Sequence, residues 1–213
     1  MKSNFIFNLF CLKSLFAFSK RKTVERDFNS FFPNRNYFVL FFIFSFLMIS
    51  NCKESEAERI QKIQENYKNQ IKTQYIIANS SNSRIGAAVV FLKEIAANKL
   101  PYSICDEKES KEILFPNSYN SNALISYEEP NKAWSIVSER QNFGIQSLIK
   151  KLNGITIKDI SIEWRKDIRD LNALKGHIVQ NIIVKTSSND IEINEIKLII
   201  EYRNQFKVCV VSK

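Results

Sequence analysis

Glycine is scarce in this chain: Gly86, Gly144, Gly154 and Gly176 are the four in 213 residues, and they stand far apart. Nucleotide sites need glycine-rich turns in which backbone N–H groups can approach phosphate, so the P-loop and the dinucleotide fingerprint are both excluded. Histidine is scarcer, since His177 is the sole imidazole. One histidine, with no His-Glu-x-x-His pair and no paired-cysteine spacing, does not make the usual zinc site. No motif therefore implies a metal or a cofactor. No run of Lys and Arg interleaved with aromatics follows residue 52, so nucleic acid is not an expected partner.

What is abundant is unevenly placed. Of 17 Phe, 13 lie before residue 52, and no Gly does. Residues 1–51 hold 7 of the 31 Lys and Arg but only 2 of the 22 acids, a net of +5, which leaves a net of +4 on the rest. More than half of the basic excess therefore belongs to the N-terminal piece. A change this sharp marks a processing or domain boundary.

The boundary falls at Cys52. Upstream, the 13 residues Tyr37 to Ile49 are apolar except for Ser45, and Arg35 flanks them. A membrane-spanning helix needs roughly 20 apolar residues, so this run fits the apolar part of an export signal better than a permanent anchor. Basic residues on its N-terminal side suit a signal whose start stays in the cytoplasm. A second, largely apolar patch from Phe5 to Phe18 makes the leader long, and we expect translation to begin further downstream, with Val24 a candidate start. Residues 2 to 20 in peptide maps of the unprocessed precursor would exclude that.

Met48-Ile49-Ser50-Asn51-Cys52 resembles the lipobox of bacterial lipoproteins, in the relaxed form found among spirochaetes, with Ile49 where Leu is commonest and Asn51 where Gly, Ala or Ser is usual. The resemblance implies cleavage between Asn51 and Cys52, acylation of Cys52, and an exported protein held by lipid on a cell-envelope membrane, at the outer membrane or the periplasmic face. Two or three acyl chains, at about 0.8 kcal/mol per buried methylene, hold a soluble domain on a bilayer where one does so only marginally. The competing reading is a short transmembrane segment that ends in a cysteine by chance.

The 162 residues from Cys52 onward suffice for one compact domain. No internal repeat is visible. Glu56 to Ala78 spaces Ile60, Ile63, Tyr67 and Ile71 as an amphipathic helix, which could pack on the domain or act as a stalk. The polar stretch Asn79 to Ser83 reads as a linker, so residues 52–84 form a lipidated helix with its linker and 85–213 the globular part. A second helix is predicted from Ile85 to Leu100, stopped by Pro101. The spacing is irregular from Pro101 to Pro130, with a helical turn or two possible over Asp106 to Glu112. Ala133 to Leu152 is helical again despite Gly144, and Asn153-Gly154 closes it.

Beyond Gly154 the period becomes two. Ile160, Ile162 and Trp164 open a strand, Gly176 to Lys185 form another, Ile191 to Tyr202 a third with a bulge or kink near Asn194-Glu195, and Phe206 to Val211 a fourth, joined to the third by Arg203-Asn204-Gln205. Helices followed by about four antiparallel strands predict an α+β domain in which helices pack on a curved sheet. That order is similar to nuclear transport factor 2-like proteins, and a cystatin-like arrangement is the neighbouring possibility. Element order says nothing about a substrate.

Candidate chemistry is thin. His177 begins a predicted strand and is expected at a surface or strand end, without a catalytic task. Glu163, Asp167 and Asp170, beside Arg165, Arg169 and Trp164, are the densest charged group, and a solvated turn with local ion pairs is their expected form. Cys105 and Cys209 remain once Cys52 is lipidated and Cys11 removed; they could form one bridge in an exported domain, or Cys209 could be a small buried residue between Val208 and Val210. The sequence therefore points to a lipid-anchored envelope protein that binds another envelope protein or a small ligand without catalysis. The alternative is an envelope enzyme using a buried carboxylate or His177.

Overall fold

The computed structural model describes residues 55–213 apart from 122 and 188. Asn51, Cys52 and the whole expected leader lie outside the described residues. Within them the chain is α+β: helices flank a five-stranded antiparallel sheet that does not close on itself.

Helix α1 (Glu56–Asn69) starts at a capping box, in which Ser55 accepts from the Glu58 N–H and Glu58 reaches back to the Ser55 N–H. It stops well short of Ala78. The chain then runs extended, and Tyr75 and Ile77 alternate with exposed Gln74 and Ile76 to enter the core. Helix α2 (Arg84–Ala96) is capped by Ser83, whose hydroxyl accepts from the Gly86 N–H. It ends before Pro101 because Asn98 turns left-handed, at φ 52°.

The irregular region holds more helix than its spacing predicts. A capping box between Asp106 and Glu109 opens α3 (Glu107–Glu109), a π-helical turn follows (Ser110–Leu114), and α4 (Phe115–Asn117) completes the stretch. Pro116 explains the π turn: it has no N–H to offer the carbonyl of Glu112, and its ring would crowd that carbonyl in a regular helix. The next helix, α5 (Pro130–Leu152), begins with proline at its first position and ends at Asn153-Gly154, with Gly154 at φ 73° and its N–H on the Ala96 carbonyl.

Strands β1 (Asp159–Leu171) and β2 (Leu174–Lys185) form a bulged hairpin. The predicted third strand is two. β3 (Asp190–Ile193) and β4 (Ile196–Tyr202) both pair with β2, and the register advances by one residue between Ile182↔Ile193 and Ile178↔Leu198. That one-residue step is the interruption the sequence carries at Asn194-Glu195. β5 (Gln205–Val211) joins β4 through Arg203 and Asn204, both at positive φ, which is a type I′ hairpin turn.

Both faces of the sheet are covered by helices or by the segments that join them. Alternation along β4 and β5 sends Ile199 and Val208 into one core with α2 and the Leu148 and Leu152 end of α5. It sends Ile200, Tyr202 and Cys209 into a second core with Ile63 and Tyr67 of α1, Phe115, and the Ala133 end of α5. Helix α5 therefore passes from one face to the other, and it does so at Gly144, where a Cβ would stand 2.8 Å from Val211 Cγ1 and 2.9 Å from the Ser212 nitrogen. The helix-breaking residue is there because the end of β5 runs against the helix. Since Ile63 and Tyr67 are core residues, α1 belongs to the single compact unit that the described residues form.

The edge of β5 is occupied. Ser81 and Phe206 exchange backbone hydrogen bonds, and the Cys105 N–H donates to the Val208 carbonyl, so the expected linker and the stretch before α3 both cap this edge. Cys105 and Cys209 are joined as a disulfide here, with Cα atoms 4.6 Å apart and both residues buried. Beside them the buried Lys207 ammonium meets Glu109 at 2.7 Å and the Ala78 carbonyl at 2.8 Å. Among the described residues no helix is long and apolar enough to cross a membrane.

Candidate functional site

Proline at position 116 and the asparagine after it set the geometry of an apolar cavity. Asn117 is fully buried. Its Nδ2 donates to the Ile113 carbonyl at 2.7 Å and to the Tyr75 hydroxyl at 2.8 Å. Its Oδ1 accepts from the Ala173 N–H at 3.1 Å, and its carbonyl accepts from the Asn172 side chain at 2.8 Å. This one residue thus fastens the end of the 107–117 helical stretch to the turn between β1 and β2. A gap remains between that stretch, α5 and the sheet.

The gap is a cavity of about 220 Å³ that opens to solvent. Its walls are apolar: Leu171, Leu198 and Val210 from the sheet, Leu114 and Phe115 from the helical stretch, Val137 from α5. Ser118, Ser121 and Ser212 supply hydroxyls, and the only charged side chains among its described lining residues are Arg140 and Arg169. Both arginines are exposed. A shallower depression shares Arg140 and Ser212 with the cavity and adds Phe143, which is 62 % exposed. By contrast, the depression between residues 72–78 and the helical stretch is lined by both signs of charge, and Lys72 and Glu112 already pair across it at 3.1 Å.

The residues singled out in the sequence are dispersed. Glu163, Asp167 and Asp170 lie on β1, exposed, and not in a turn; Arg165 and Asp167 approach only to 4.0 Å. Arg169 alone of that group reaches the cavity. Trp164 packs on the core that the sheet shares with α2, with Arg84 stacked 4.5 Å over its ring. His177 is buried inside β2, not at a surface or strand end. Its Nε2 lies 2.6 Å from Glu201, its ring packs between Trp164 and Phe206, and its Nδ1 has no hydrogen-bond partner among the described residues.

Neither His177 nor a carboxylate is among the described lining residues of the cavity. The buried acids serve structure. Glu195, at the register step, accepts from Ser147 at 2.7 Å and pairs with Lys151 at 2.9 Å. Burial pushes its carboxyl up, but the bonds from Lys151 and Ser147 outweigh that and hold it below the ordinary carboxylate range. Among the described residues, no group of three or more His, Cys, Asp or Glu could hold a metal ion.

Sequence reasoning missed the cavity because its lining comes from six separate segments with no common motif. The local signals are Pro116-Asn117, inside the irregular stretch, and Arg140, one turn beyond Val137 on α5. No protein-family model, no curated protein and no solved structure matches this chain.

Proposed function

We propose that this chain is a bacterial envelope lipoprotein, tethered through an acylated Cys52, whose exported domain binds a small ligand in the cavity beside Arg140 and Arg169 without catalysing a reaction. The observation that carries the binding reading is the lining itself: apolar walls, hydroxyls, two exposed guanidiniums, and, among the described lining residues, neither an acid nor the chain's one imidazole to move a proton. The lipobox-like Met48 to Cys52 carries the tether. The disulfide between Cys105 and Cys209 supports export, because such bonds persist in oxidising compartments.

Intact-mass and N-terminal peptide analysis of protein extracted from its native membrane, beside a Cys52→Ser variant, tests the tether. The expected product begins at Cys52 and carries acyl mass that the variant lacks. Unmodified residues upstream of Cys52 in the purified protein would instead make the apolar run an uncleaved anchor.

A second reading has one observation behind it. The buried His177, close to Glu201 and with Nδ1 unpartnered, is the kind of pair an envelope enzyme could use as a base. Its separation from the cavity makes this the weaker account.

A further inference from the structure

We infer that the cavity selects small monocarboxylic acids whose apolar body is about the size of an aromatic ring, with the carboxylate held at the mouth by Arg140 and Arg169. This rests on the reading of the cavity as a ligand site and names what it takes. The volume sets the body. A dry cavity of about 150 Å³ holds benzene, so about 220 Å³ accommodates a ring and a short methylene link but falls below the 300 to 1,000 Å³ typical of drug-sized ligands.

The charge sets the head group. Arg140 on α5 and Arg169 on β1 have no ion pair or hydrogen bond among the described residues, and the described lining contains no Asp or Glu to neutralise them. A guanidinium presents a planar fork of donors that matches a carboxylate. Both forks are solvated before binding, which limits the gain per bond. The lining is mostly apolar, with serine hydroxyls and no cation beyond the two arginines among its described residues, so a second carboxylate would lose solvation inside with little recompense.

The test is fluorine NMR on the full chain in lipid nanodiscs, with empty nanodiscs as the partition blank. The probes are 3-(4-fluorophenyl)propanoate and the matching uncharged alcohol. We expect saturable binding of the acid with a dissociation constant on the order of 0.1 to 1 mM, and about tenfold weaker binding of the alcohol, as loss of one charge-assisted contact predicts. Arg140→Gln with Arg169→Gln should bring the acid down to the alcohol's affinity and leave the alcohol unchanged. Both positions are exposed, so these variants should fold. Val137→Trp, which fills the cavity, should abolish saturation by both probes.

The outcomes separate the two claims. Equal affinity for acid and alcohol, unaffected by the arginine variants but lost in Val137→Trp, would overturn the carboxylate assignment and leave the ligand site standing. Binding of neither probe above the blank would overturn both.

Discussion

Lys207→Met should be among the most damaging single changes in this domain, and the structure says by how much. Lys207 is 2 % exposed, and its ammonium makes two bonds, one to Glu109 and one to the Ala78 carbonyl. Ala78 is exposed, so its carbonyl can turn to water at little cost. Glu109 cannot do so. It is 8 % exposed and would be left with only the backbone N–H groups of Ala78 and Asp106 on its carboxylate. Removing one partner of a buried pair costs about 3 to 5 kcal/mol, and the two surviving N–H bonds place this case near 3. For a unit of this size that is a fall in Tm of about 6 to 12 °C. Calorimetry of the single variant and of Lys207→Met with Glu109→Gln decides the matter, because neutralising the stranded acid should recover most of the loss. A single variant that melts within 2 °C of the parent, or a double variant no better than the single, would refute the claim that an uncompensated charge sets the cost.

Three further outcomes are expected. Reduction of the Cys105–Cys209 bridge, which spans 104 residues, should destabilise the domain by up to about 4.7 kcal/mol; melts with and without reductant measure this, and quantitative alkylation of both thiols in unreduced protein would contradict the bridge. Gly144→Ala should destabilise by about 1 to 2 kcal/mol in denaturant melts, even though alanine is the better helix former, because its methyl would strike Val211 and the Ser212 backbone; a more stable variant would show that α5 does not pass this close. Glu195 has a folded pKa below its ordinary value of 4.5, so its contribution is present above that value and is lost as pH falls through the folded pKa. Glu195→Gln should therefore flatten stability against pH on the acid side of 4.5, and an unchanged acid limb would count against the Lys151 and Ser147 bonds as the cause.

What could be read from the sequence was what local pattern dictates. The strands of the C-terminal half announce themselves through period-two alternation, and even the step at Asn194-Glu195 appears as a lapse in it. Helix α5 survives its glycine on paper because its apolar spacing continues across Gly144. The sequence could not say why that glycine is present, since the reason is a strand end more than sixty residues away. The same limit applied to α1. Ile71 continues a helical stripe, but Tyr75 and Ile77 are claimed by the second core in extended form, and tertiary burial overrides the period.

The cavity lies at the far end of this scale. Each of its walls obeys a local rule, including the π turn forced by Pro116, the hairpin turn at Asn172 and the arginine on α5. Their meeting depends on Asn117, whose three kinds of hydrogen bond join elements that are distant in sequence. A buried asparagine has no periodic signature, so nothing local distinguishes it from the turn asparagine it resembles. The covering of both faces of the sheet does leave a local trace. A two-faced sheet needs apolar residues at successive positions, and Leu198, Ile199 and Ile200 supply them as a continuous run of the kind that strands buried on both sides display. Such a run goes with a covered second face, and the covering elements are the ones that wall the cavity. The cavity is thus a consequence of how the second core is closed, which is why changes at Lys207, Glu109 and Asn117 should be felt in the shape of the cavity as well as in stability.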